Sequence, residues 1–117
     1  MIGNVQMGIY MEFYKKLYLG DGTKKHRWKY IWKLKHHAGL LNIYVITLSK
    51  NPGELLEIYH SAVLMQEFYK QYPPFVVGIA KGKDEATLLV SEIIQDVYLK
   101  TGNYDIKTYL LEKQKGK

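Results

Sequence analysis

The chain of 117 residues contains no cysteine. Disulfides, thiolate metal ligands and cysteine nucleophiles are therefore excluded. It has only three prolines, and no linker, internal repeat or low-complexity segment divides it. No apolar run approaches the ~20 residues that a membrane helix needs. The opening residues, MIGNVQMGIYMEF, lack a basic n-region, a long apolar core and a small-residue cleavage site, so they do not read as a signal peptide. A soluble cytoplasmic protein without membrane contact is the expectation. The length fits one domain over 1–117. Met7 and Met11 leave open that 1–10 is a disordered extension outside the fold, and 113–117 read as a frayed tail.

Acidic residues are scarce in the first half. Residues 1–53 carry nine Lys/Arg and two Asp/Glu, a net of +7, whereas 54–117 carry eight and nine, a net of −1. From Lys24 to Lys35 there are six basic residues and no acidic one. Such asymmetry points toward an anionic partner without specifying one. Tyrosine is in excess: eleven Tyr accompany two Trp and three Phe. A tyrosine ring can be buried while its hydroxyl stays wet, which suits core rims and interfaces.

Along the chain, Glu12 to Leu19 alternates as a strand, with Phe13, Lys15, Leu17 and Leu19 on one side and Glu12, Tyr14, Lys16 and Tyr18 on the other. GDGTKK then reads as a hairpin connection. Arg27 to Lys35 alternates again: Trp28, Tyr30, Trp32 and Leu34 share one face, and Arg27, Lys29, Ile31, Lys33 and Lys35 the other. A second strand is expected there, with its aromatic face available to a packing helix. HHAG reads as a turn, and LLNIYVITL, 40–48, as a central strand. Residues 51–60 fit either a Pro-Gly turn followed by a strand, LLEIYH, or a helix capped by Asn51; the turn is favoured, because glycine in a first helical turn is costly. SAVLMQEFYKQY, 61–72, predicts a short helix ended by Pro73-Pro74, and FVVGIA, 75–80, a buried strand.

The clearest helix covers about 84–101. Ala86, Leu89, Val90, Ile93, Ile94 and Val97 form its apolar stripe, Asp84 and Glu85 suit its N-terminus, and Gly102 suits its C′ position. Asp105 can cap a last helix through about Glu112. The predicted fold class is α+β: a mainly antiparallel sheet of four to five strands, with hairpins in the N-terminal half, a long C-terminal helix and shorter helices packed on one face.

Three places could carry chemistry. The first is the basic set Lys24, Lys25, Arg27, Lys29, Lys33 and Lys35. It could lie along phosphates while the aromatics stack on unpaired bases. On a strand, however, rings and cations point to opposite faces, so one ligand could use only one set. A solvated lysine face that discourages edge pairing accounts for the same alternation. The second is the aromatic cluster Tyr59, Met65, Phe68, Tyr69, Tyr72 and Phe75, which reads either as a core rim or as an interface between two copies of the chain. The third is the strand–loop–helix junction GIAKGKDEA. There Gly82, flanked by Lys81 and Lys83, could receive an anion at a helix N-terminus, although neither phosphate-loop spacing is present.

No cofactor motif and no metal-ligand spacing is visible. His26, His36, His37 and His60 do not form a chelating pattern; His36 and His37 are sequence neighbours and diverge on a strand. Ser49, Ser61 and Ser91 sit in no nucleophile context. Glu57 with His60, or Glu92 with Asp96, are the pairs that could approach. The reading is therefore of a non-catalytic module without metal or cofactor. Homodimerisation through the aromatic segment is placed first, nucleic-acid binding through 24–35 second, and an enzyme or anion site at 78–82 last.

Overall fold

The computed structural model describes residues 11–36, 42–51 and 55–116. β1, Glu12–Leu19, is a strand with the expected alternation. Phe13, Leu17 and Leu19 join one apolar cluster, and Tyr14 and Tyr18 join another on the opposite side. β2, Ile43–Leu48, and β3, Leu56–His60, pair antiparallel from Tyr44 opposite His60 to Leu48 opposite Leu56. The strand alternative for 56–60 is thus the observed one. Residues 1–10, 37–41 and 52–54 lie outside the described residues, and with them the expected extension, His37, most of the HHAG turn and the Pro-Gly turn.

β4, Phe75–Lys81, is inserted between β1 and β2. It runs parallel to β1 and antiparallel to β2, giving the order β1-β4-β2-β3. Among the described residues the sheet has four strands, and two of its three pairings are antiparallel. Ile46 opposes Gly78 and Thr47 opposes Val76, so Val77 is an extra residue in β4, a bulge. Beside it, a Cβ on Gly78 would stand 3.2 Å from Leu89 and 3.3 Å from Ile46, so the missing side chain lets a helix lie close on the strand.

The second predicted strand does not form. Arg27–Lys35 is a helix, α1, entered through a 3₁₀ turn at Lys24–His26. GDGTKK is accordingly not a hairpin connection. It turns β1 into α1, pinned by the buried Thr23 hydroxyl, which lies 3.1 Å from the Gly20 carbonyl and 3.0 Å from that of Ile79. The short stretch satisfies two periods at once. Its strand reading left Ile31 on the wet face. The helical reading gathers Tyr30, Ile31 and Leu34 on one side, and these three are the residues buried. The expected helix over 61–72 is divided. Ser61–Met65 is 3₁₀ and Glu67–Gln71 is α2, with Gln66 extended between them (ψ 148°).

α3, Lys83–Thr101, matches its sequence signals, and Gly102 ends it in the left-handed region (φ +82°). α4, Ile106–Gln114, begins where the Asp105 carboxylate accepts the Thr108 N–H, and it continues past Glu112. Ala86, Leu89, Ile93, Val97, Ile106 and Leu110 pack on the Tyr14, Ile46, Val77 and Ala80 side of the sheet. α1 and Leu64 pack on the other side, against Leu17, Ile43, Val45, Val76 and Ile79. Helices therefore cover both faces rather than one. The stripe of α3 rests on β1, β2 and β4, and the aromatics of 28–32 supply none of that surface.

Candidate nucleic-acid interface

At 3.6 residues per turn, burying Tyr30, Ile31 and Leu34 forces the remaining positions of α1 outward. Trp28 is 73% exposed and Trp32 58%. His36 stacks on Trp32, with ring centroids 4.1 Å apart and planes 24° from parallel. Trp28, Trp32 and His36 follow at four-residue steps and form a ridge. Lys29 and Lys33 flank it on one side and Lys35 on the other. Rings and cations thus share one surface, and the geometric obstacle that applies to a strand is absent. The aromatic face of 28–34 is itself split: Tyr30 and Leu34 enter the core, while Trp28 and Trp32 face water.

The six basic residues do not play equal parts. Arg27 is half-buried: its Nη2 donates to the Lys15 carbonyl (3.1 Å), and its guanidinium lies 5.2 Å from the Trp28 ring centre. Its Nε is buried without a hydrogen-bond partner among the described residues. Arg27 therefore ties α1 to β1 more than it offers charge. Lys24 pairs with Asp21 at 3.1 Å, both in water. Lys29 lies 5.2 Å from the Tyr30 ring and Lys35 5.7 Å from that of Phe13, so their stems lean on aromatic surface while the ammonium groups remain available. Lys25 is exposed at the start of the patch.

The N-terminus of α1 has no side-chain cap and no acidic residue in its first turn. Lys24, Lys25, His26 and Arg27 crowd an end whose dipole already favours negative charge. This placement works against the isolated helix and leaves a strong local field for an anion.

The aromatic set is divided by the sheet. Tyr59, Phe68, Tyr69 and Tyr72 line one groove of about 160 Å³ beside the β2–β3 pair. Met65 is exposed at the end of the 3₁₀ turn. Phe75 instead packs edge-on against Tyr14, centroids 6.3 Å apart, in the core beneath α3. Sequence reasoning missed Thr47, which also lines the groove and sits in a β-branched run that reads as strand filler.

At the third place, Gly82 takes φ +86° and its N–H is bonded to the Asn42 carbonyl at 2.7 Å. The Glu85 carboxylate curls back over the junction, accepting the Lys81 N–H (2.7 Å) and the Gly22 N–H (3.0 Å). The helix start therefore already holds a carboxylate of its own. Lys81 and Lys83 are exposed beside it.

Of the two titratable pairs, Glu57, His60 and Asp96 have other partners. Glu57 accepts from Ser49 and Tyr59, and the His60 ring accepts the Ala62 N–H at 3.0 Å. Asp96 accepts from the Tyr18 hydroxyl (2.7 Å) and pairs with Lys100 (3.2 Å). Among the described residues, no three His, Asp or Glu side chains cluster at metal-binding distance, and no helix is long and apolar enough to cross a membrane. No protein-family model, curated protein or solved structure matches the chain.

Proposed function

We propose that this chain is a non-catalytic module that binds single-stranded nucleic acid through the exposed face of α1, and that it works in the cytoplasm. The observation that carries the reading is the exposure of Trp28 and Trp32 on the same helical face as Lys29, Lys33 and Lys35. Trp rings one turn apart can stack on successive bases, at about 1–3 kcal/mol per base, while the lysines displace counterions from the phosphates. A duplex offers phosphates but keeps its bases stacked, so the rings favour a single strand.

The test is a titration of labelled single-stranded and duplex oligonucleotides at about 50 and 200 mM salt. Two variants run alongside: Lys29→Glu/Lys33→Glu/Lys35→Glu and Trp28→Ala/Trp32→Ala. Single-strand binding should weaken steeply with salt, with each lost phosphate contact lowering the log–log slope by roughly 0.7. The lysine variant should lose binding at both salts. The tryptophan variant should keep the salt slope but bind at least about tenfold more weakly. Absence of binding at the lower salt sinks the proposal, as does preference for anionic lipid vesicles over oligonucleotides.

Self-association is the second reading. Phe68 and Tyr72 are 59% and 55% exposed and lie close to each other, with centroids 5.2 Å apart. An exposed pair of rings at the lip of a groove is the kind of surface a second copy could cover.

A further inference from the structure

The groove beside β2 and β3 contains more than aromatic surface. Thr47 and Glu57 are direct cross-strand partners, so their side chains rise from the same face of the sheet. Thr47 is completely buried, and its hydroxyl has no hydrogen-bond partner among the described residues. Such a hydroxyl is a standing penalty, and because it is closed to solvent a donor in the groove reaches it only as the lining side chains shift. Glu57 is half-buried. One of its oxygens accepts the Tyr59 hydroxyl at 2.6 Å and the other the Ser49 hydroxyl at 3.2 Å. Both donors are neutral, and a carboxylate has about four acceptor sites, so roughly two remain open. The described residues provide no ion pair to Glu57. Phe68, Tyr69 and Tyr72 complete the walls, and aromatic faces attract cations.

These features select a ligand class. An anion would meet the Glu57 carboxylate. A wholly apolar group would desolvate that carboxylate and leave Thr47 unpaired. A quaternary ammonium would satisfy the rings but has no N–H to donate. We infer that the groove is a binding site for a primary ammonium group on a short aliphatic stem, its N–H groups donated to Glu57 and to the Thr47 hydroxyl and its stem lying on Tyr59, Phe68 and Tyr72. Lys50 stands at the rim and would repel a second positive charge. The site therefore suits a lysine side chain presented by a peptide better than a free diamine. The inference is independent of the α1 reading, because it uses none of the same residues.

The experiment is a ¹H–¹⁵N NMR titration of the full chain with Nα-acetyl-lysine methylamide, with 1,4-diaminobutane, tetramethylammonium and Nα-acetyl-norleucine methylamide run in parallel. The lysine compound should bind with a Kd in the low millimolar range, the scale expected for so small a ligand. Shifts should be confined to Thr47, Glu57, Tyr59 and residues 68–72 of α2 and its C-terminal end. Diaminobutane, tetramethylammonium and the norleucine analogue should each bind more weakly. Thr47→Val and Glu57→Gln should each weaken binding by about tenfold, the effect of losing one hydrogen bond to a charged group. Both variants should keep dispersed spectra, since Val matches Thr in shape and Gln retains acceptor and volume. Two outcomes overturn the site: no localised shift with the lysine compound up to about 50 mM, or equal affinity for the lysine compound and its norleucine analogue. If tetramethylammonium binds as tightly as the lysine compound, or if binding survives intact in both variants, the hydrogen-bonded geometry is wrong.

Discussion

Tyr18 shows how single side chains lock the sheet to its helices. Its hydroxyl donates to Asp96 on α3 across 2.7 Å, and Asp96 also holds Lys100 one turn further on. Burial first, and the bond to Asp96 second, raise the Tyr18 pKa well above the ordinary 10. Tyr14 is raised chiefly by burial, and Tyr59 chiefly by its hydrogen bond to Glu57. The folded-state value lies above the unfolded one, so the stabilisation is complete below pH 10 and is lost as pH climbs through the raised folded value. Unfolding free energy measured by denaturant at about pH 8 and about pH 11 should therefore fall at the higher pH. Tyr18→Phe should show a smaller fall, with Tyr14 and Tyr59 supplying the remainder. None of this was legible in the sequence. Tyr18 reads as one ring in an alternating run, and its partner lies 78 positions away. The same holds for Glu85, which reads as a helix-dipole residue and also accepts the N–H of Gly22, 63 positions away.

α1 is where a local pattern and the three-dimensional packing disagree, and mutation separates the two readings. In the helix Ile31 is buried and Trp28 is mostly in water; on a strand the assignments would be reversed. Ile31→Ala should destabilise the protein by about 2–4 kcal/mol through the transfer and cavity terms. Trp28→Ala should change stability by no more than about 0.5 kcal/mol. Chemical denaturation of the two variants checks this, and the opposite ranking would restore the strand. The division of 61–72 into a 3₁₀ turn and a short helix was not legible either, whereas the strands and the long helix were. β1 and β4 carry strand patterns bounded by turn residues, and α3 is long enough for its apolar stripe to exclude any other period. A stretch of nine residues, as in α1, is too short for that.

Across the whole molecule, the sheet separates two cores and with them two candidate surfaces. α1 and the aromatic groove both lie on the Val45–Val76–Ile79 side, whereas α3 and α4 close the other. If Phe68 and Tyr72 also meet a second copy, the mass measured by light scattering should rise toward twice 13.7 kDa as the concentration increases, and Phe68→Ala/Tyr72→Ala should hold it at the monomer value. A constant mass would leave those rings to the groove alone.

The α+β class, the four strand segments, the long helix with its Gly102 stop and the basic first half all follow from local periodicity, turn chemistry and charge, which act over a few residues and can be read in order. Three features depended on the tertiary structure. Packing against Leu17 and Ile79 decided which period Arg27–Lys35 obeys, and so turned Trp28 and Trp32 outward. Strand pairing set Thr47 opposite Glu57. The turn that follows β1 lies beside the start of α3, which brought Glu85 to Gly22. Each joins residues that the chain separates, and burial of an apolar face, which selects among locally equal alternatives, exists only once the other elements are in place.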